Sequence, residues 1–496
     1  MADPIISTRA GDVRGIEHDG ILAFKGLRYA EPPTGQRRFA PPAALEHWDD
    51  VYDASCLGPS CPQPEQRPAG WSHEAEEDED CLRLNVWTPG GDQRRRPVMV
   101  WFHGGGYAIG SGSWPVYDGE RLARRGDVVV VTVNHRLGPL GYLHLASLGG
   151  AEVATSGTVG MQDLVASLYW VRDNIEAFGG DPGNVMIFGE SGGGAKVSTL
   201  LGMPVAKGLF HRAAIQSGAA RYVLSPEQAD QATRAYLERL GIAADGNALK
   251  ALRALPVKQL IDASPGMGAG SGGSTRMGFS PVLDGEFILH HPAHALSRGH
   301  AADVPLLIGT NFDEASMWLG AEPALTDPSR MSHDELPARL ANLGKRAAPL
   351  LAAYKKSRPD APAIDLLLAI NSDATMRIPS IKLAEKKLGG PGAAPVWMYL
   401  FCWAAGPLRS AHGFELPFMF DNVGKSEMRP SPSRQQLADR MSDAWLAFAR
   451  GGDPNHDGLP PWPAYDLQAR STMIFDRDHC EVSDDPWGAE RQAWFE

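Results

Sequence analysis

Ser191 stands in the stretch Val185-Met-Ile-Phe-Gly-Glu-Ser-Gly-Gly-Gly-Ala195, where Gly189 to Gly193 spell G-x-S-x-G. Val185 to Phe188 are apolar and read as a short buried strand. Ala195 to Leu201 read as a helix. The glycines between them permit a sharp strand-to-helix turn and leave no side chain to block close approach. A serine held there projects its hydroxyl near the positive end of the helix. That hydroxyl is a poor nucleophile at neutral pH and needs a general base, oriented by a third group. The same pattern also occurs as a plain tight turn, so the nucleophile reading depends on partners elsewhere in the chain.

Three other stretches supply such partners. His103-Gly-Gly-Gly106 follows a predicted strand, Pro97 to Phe102. Its glycines expose backbone N–H groups, as an HGGG-type oxyanion loop does. Losing one oxyanion donor costs roughly 3–4 kcal/mol. No G-x-x-x-x-G-K-[ST] pattern supports a phosphate site instead. Asp313 and Glu314 lie just past a predicted strand, Val304 to Gly309, and both are candidate acids. His412, in Ser410-Ala-His-Gly-Phe-Glu-Leu-Pro417, follows the predicted strand Pro395 to Phe401 and is the candidate base. Acid and histidine thus follow the serine in chain order. His73, His135, His144, His211 and His294 are the rival histidines; His135 reads better as a structural hydrogen-bonding group. The His290-His-Pro292 sequence has no metal-ligand spacing.

The elements that must position these residues alternate. Strands are expected at Leu82 to Trp87, Pro97 to Phe102 and Asp127 to Val133, a helix at Met161 to Phe178, then the Ser191 strand and a strand at Ala213 to Ser217. This alternation predicts an α/β fold with a mostly parallel central sheet flanked by helices. The first 55 residues predict a small antiparallel meander, with strands at 13–15, 21–24 and 27–29. Residues 225–300 and 320–390 predict long helical insertions, the second polar-faced. The first carries a mobile Gly-rich loop at 266–274. Gln436 to Arg450 predicts an amphipathic helix, and Thr472 to Phe475 a last edge strand. No repeat or interdomain linker interrupts residues 1–496, so one catalytic unit is expected.

The 496 residues are 43% hydrophobic and 21% charged, ordinary for a globular enzyme with a large core. Lys+Arg 47 against Asp+Glu 59 gives −12, which argues against a nucleic-acid partner. No apolar run is long enough to span a membrane, and the N-terminus lacks a signal-like pattern. A cytoplasmic protein is expected, with a secreted or periplasmic one as the alternative if a leader has been removed. The run Glu74 to Asp80 reads as a solvated loop. Five cysteines lack paired metal spacing.

Jointly, several motifs resemble the type-B carboxylesterases, which include bacterial para-nitrobenzyl esterases, carboxylesterases and cholinesterases. They are Phe24-Lys-Gly-Leu-Arg-Tyr-Ala-Glu-Pro-Pro33, Glu79-Asp-Cys-Leu-Arg-Leu-Asn85, Val133-Asn-His-Arg-Leu-Gly-Pro-Leu-Gly-Tyr142 and Gly157-Thr-Val-Gly-Met-Gln-Asp163. Phe188-Gly-Glu-Ser-Gly-Gly193, Gly309-Thr-Asn-Phe-Asp-Glu314, His412-Gly-Phe-Glu-Leu-Pro417 and Gly452-Asp-Pro-Asn455 continue the match nearly end to end. The resemblance implies an α/β-hydrolase fold and a serine carboxylic-ester hydrolase working through an acyl-enzyme, without metal or cofactor, on a small-molecule ester. Monomer and homodimer stay undistinguished. It implies a Ser191–Glu314–His412 triad, with Asp313 a structural neighbour. Gly105, Gly106 and Gly192 match the oxyanion donors. Glu190 resembles a buried acid that shapes the site, and Ser217 a serine bonded near the triad acid.

Two departures stand out: Arg83 where an aromatic residue is common, and Gly192 where many relatives have alanine. Cys61 and Cys81 resemble a pair that forms a disulfide in secreted relatives. Candidate pocket-lining residues are Tyr107, Trp114, Met317, Trp318 and Phe414, each equally readable as core. A carbamate, amide or other xenobiotic-ester hydrolase would share the triad. A non-catalytic adhesion or scaffold relative would be expected to have a broken one.

Overall fold

A computed structural model describes residues 3–65, 76–219, 223–264, 278–404, 406–425, 431–477 and 479–496. His73 and the Gly-rich loop at 266–274 lie outside them. Fourteen strands occur among these residues. The first six are β1 (Ile5–Ser7), β2 (Asp12–Arg14), β3 (Ile16–His18), β4 (Ile21–Arg28), β5 (Tyr52–Asp53) and β6 (Arg83–Thr88). Next come β7 (Arg96–Phe102), β8 (Val129–Val133), β9 (Gly180–Glu190) and β10 (Arg212–Gln216). The last are β11 (Leu306–Asn311), β12 (Val396–Phe401), β13 (Ser471–Phe475) and β14 (Cys480–Asp484). β1, β2 and β5 form a small separate sheet; the other eleven form one large sheet in the order β14-β13-β12-β11-β10-β9-β7-β8-β6-β4-β3.

From β8 to β13 every neighbour is parallel, and the flanking pairs are antiparallel. The parallel strands are mostly apolar and buried, as expected where helices cover both faces. Alternate residues of β7 show the two sides: Val98, Val100 and Phe102 join one core cluster, Met99 and Trp101 the other. The sheet is therefore the wall between two cores.

The N-terminal strands pair antiparallel as expected, but their bounds and their sheet differ. The stretches 21–24 and 27–29 are one strand, β4, with a register irregularity between Phe24 and Leu27. It belongs to the large sheet. The strand at Thr472 to Phe475 is not an edge either; the half-exposed β14 pairs antiparallel outside it. Residues 320–390 are largely helical, but Ala363–Ser372 is buried nearly all round rather than polar-faced. The helix Val159–Asn174 passes into a 3-10 turn at Ile175–Phe178.

Strand order reverses between β7 and β9, because β8 lies on one side of β7 and β9 on the other. In open α/β sheets such a switch point opens a crevice at the carboxyl ends of the strands. Phe102 pairs with Gly189 there, so the segments leaving β7 and β9 are brought face to face.

Candidate active site

Ser191 sits where β9 turns into the helix Gly192–Gly202, with φ 56° and ψ −120°. A non-glycine residue in that region is strained, and the surrounding bonds hold it there. Its N–H donates to the Gln216 carbonyl at 2.8 Å, and its carbonyl accepts from Ala195 N–H at 3.0 Å. The turn is so tight that a Cβ on Gly193 would lie 1.9 Å from the Phe102 carbonyl oxygen.

The loop leaving β7 lies over this turn. A Cβ on Gly104 would meet Glu190 Oε2 at 2.9 Å and Ser191 Cβ at 3.5 Å. A Cβ on Gly192 would stand 2.2 to 2.5 Å from the oxygen, nitrogen and Cα of Gly106. Glycine at 192 thus lets the two backbones touch, where a Cβ would force them apart. Among the described residues, no hydrogen bond occupies the N–H groups of Gly105 or Gly106. The Gly192 N–H is in the first turn of its helix and has no intrahelical acceptor.

The ends of β10, β11 and β12 supply the side chains. Glu314, fully buried, accepts from Asn311 N–H at 2.8 Å and from the Ser217 hydroxyl through Oε1. Its Oε2 stands 2.5 Å from His412 Nδ1. Asp313 faces elsewhere, toward Ser410 N–H at 3.4 Å and Arg409 at 4.0 Å. His412 Nε2 lies 3.1 Å from Glu190 Oε1. Among the described residues no hydrogen bond joins Ser191 Oγ to His412. Behind them Glu415 is held by Gln216 Nε2 at 3.2 Å and Asn311 Nδ2 at 2.7 Å.

One imidazole is therefore buried with three carboxyl groups, and the charges disturb one another. Burial drives the Glu190 carboxyl up to about 8; Glu415 and Glu314 add to the rise and His412 opposes it. Burial also raises Glu415 to about 7, with Glu314 adding and the Asn311 hydrogen bond opposing. For His412 burial favours the neutral ring, but Glu190 and Glu314 outweigh it and hold the group at about 9. Groups perturbed by burial plus specific partners in one crevice mark a functional site.

The candidate lining residues divide. Trp318 is 50% exposed and its ring lies 5.0 Å from that of His412. Met317 and Phe414 are half-buried beside the same loops. Tyr107 and Trp114 are core: Tyr107 packs edge-on against Tyr142, and Trp114 stacks on Tyr117. The rival histidines among the described residues have other partners. His135 Nδ1 contacts the Arg136 carbonyl at 2.9 Å, and His211 Nδ1 accepts from Val185 N–H. His144 lies near Asp230, and His294 beside His290.

Sequence reasoning missed Asn311, Glu415 and Lys196. Glu415 was visible as the residue three past His412 in the same motif. Lys196 was visible as a lone charge within the apolar run Ala195 to Leu201. It is fully buried and donates to the His103 carbonyl at 2.9 Å.

Outside this crevice, Cys61 and Cys81 are buried, adjacent thiols, not a disulfide, with Cys81 pushed up by burial and by Cys61. Among the described residues His18, Asp19 and Glu120 group as metal ligands would, at the surface, where Arg124 already bonds Glu120 at 2.7 Å. No described helix is long and apolar enough to cross a membrane.

Known proteins resemble this chain along nearly its whole length. The profile of the carboxylesterase family matches residues 2–494. The para-nitrobenzyl esterase of Bacillus subtilis (strain 168) is 38% identical, over 100% of this chain and 99% of that protein. Phenmedipham hydrolase of Pseudarthrobacter oxydans is 34% identical, over 97% of each. The crystal structure of a Geobacillus stearothermophilus carboxylesterase is similar with a TM-score of 0.88 and 38% identity, covering 99% of both chains.

Proposed function

Because the chain belongs to the carboxylesterase family, and so is a carboxylic ester hydrolase, we propose that it works through a Ser191–His412–Glu314 triad and an acyl-enzyme. His412 Nε2 swings from Glu190 to the Ser191 hydroxyl when substrate closes the crevice; catalytic hydrogen bonds often tighten only then. His412 takes the Ser191 proton as Oγ attacks the ester carbonyl. Glu314 holds Nδ1–H and steadies the imidazolium, helped by Ser217 and Asn311 N–H. The oxyanion rests on the N–H groups of Gly105, Gly106 and Gly192. His412 then protonates the leaving alcohol, and a water activated by the same ring cleaves the acyl-enzyme.

The observation that carries this reading is the buried Glu314–His412 pair at 2.5 Å beside a strained serine whose neighbouring loop has unoccupied N–H donors. Substrate class follows from Trp318, half exposed over His412: a flat aryl or apolar group on the ester packs against it. Ser191→Ala should abolish both the burst of alcohol from an aryl ester and covalent labelling by an organophosphate, with an unchanged melting temperature. Turnover retained by that variant overturns the triad.

A further inference from the structure

Lys196 lies on the helix that follows Ser191, and no other lysine in the described residues is as deeply buried with so little to bind. Its ammonium has three donors and makes one hydrogen bond, to the His103 carbonyl at 2.9 Å. The Tyr107 ring lies 5.9 Å away, and the ammonium adds to the lowering of the pKa of His135, which stacks on His103. Burial alone pulls the ammonium down to about 7. A methionine or leucine of similar volume would pack there without that desolvation cost. What the lysine adds is a grip on one backbone atom.

That atom is the last carbonyl before the glycine loop. The peptide unit is planar, so fixing the His103 oxygen fixes the plane that carries the Gly104 N–H. Three glycines come next, and they restrain the path of the loop less than any other residues would. The same carbonyl lies 3.0 Å from where a Gly193 Cβ would be, so it faces the first turn of the Ser191 helix. One side chain therefore ties the oxyanion loop to the helix that carries the nucleophile.

We propose that Lys196 is a positioning residue of the oxyanion hole: by holding the His103 carbonyl it sets where the Gly105 and Gly106 N–H groups point. It does not touch the substrate. The proposal rests on the triad reading above and deepens it.

The test compares wild type, K196M and K196Q by steady-state hydrolysis of a p-nitrophenyl ester, inhibition by a trifluoromethyl ketone, organophosphate labelling and thermal melting. Misplacing a reacting geometry by about 1 Å costs on the order of 100-fold. K196M should therefore lose about 10- to 100-fold in kcat while KM stays within about twofold. Affinity for the ketone, whose hemiketal oxyanion needs the same donors, should fall in parallel with kcat/KM. K196Q keeps an N–H donor and should recover part of the loss. A folded K196M with kcat within about twofold of wild type overturns the proposal. So does a kcat loss without a change in ketone affinity. Failure of both variants to fold also overturns it, since the lysine would then be holding the core rather than the loop. A wild type that neither turns over the ester nor is labelled at Ser191 sinks the triad reading itself, a result distinct from the others.

Discussion

Two clusters of buried charge can be set side by side in this protein. In one, Arg136 grips Asp163 through Nη2 at 2.6 Å and Nε at 2.9 Å, and the Arg136 backbone N–H adds a third bond at 3.1 Å. A remaining guanidinium nitrogen donates to the Ala40 carbonyl at 2.6 Å. Cation and anion balance, and each has its partner. In the other, Glu190, Glu314 and Glu415 surround His412 alone. That cluster cannot balance, so protons are held where ordinary carboxyls would have released them. Both clusters are buried to a similar degree. The difference is that a balanced pair spends its electrostatics on holding structure, whereas an unbalanced group keeps titratable protons available for chemistry.

Three changes test that contrast. Glu314→Gln should lower kcat by about 10⁴-fold, as losing the orienting acid of a triad does, with little change in melting temperature. Rates from single-turnover hydrolysis would check it; a loss below about tenfold would put the orienting role elsewhere. Asp163→Asn should do the reverse. It leaves a buried guanidinium uncompensated, which costs about 3–5 kcal/mol of stability, while kcat per folded molecule is unchanged. Denaturant unfolding with active-site titration separates the two effects.

The smallest change should come from Glu190→Gln. The Glu190 carboxylate favours protonated His412, so removing it lowers the His412 pKa from about 9. The base form then exists at lower pH, and the rising acid limb of kcat/KM should move down by about one unit. A limb that stays in place would separate Glu190 from the base.

Much of the site could be read from the chain because its parts are local. G-x-S-x-G, H-G-G-G and the loop around His412 each sit at a strand end, and each motif carries its own geometry. Asp313 and Glu314 could not be separated by position alone. They are adjacent, and only the turn after β11 decides that Glu314 points inward while Asp313 faces Arg409. β14 carries no strand signal because Cys480-Glu-Val-Ser-Asp484 is half exposed and lacks an apolar run. β4 reads as two stretches because its register irregularity interrupts the alternation that marks a strand. Lys196 escaped because a lysine in a helix normally reaches solvent.

The sequence by itself determined the chemistry on offer: one serine on a glycine turn, glycine donors after β7, and acid and histidine later in the chain. Those choices are local, set by backbone freedom and hydrophobic period. The tertiary structure decided which groups meet. The reversal of strand order places the β7 loop on the Ser191 turn, and parallel register brings Ser217, Glu314 and His412 to one end of the sheet. It also decided that Glu190 and Glu415 share their pocket with His412, and that Lys196 is sealed beneath the glycine loop. Burial and charge proximity belong to no single residue, so no motif records them.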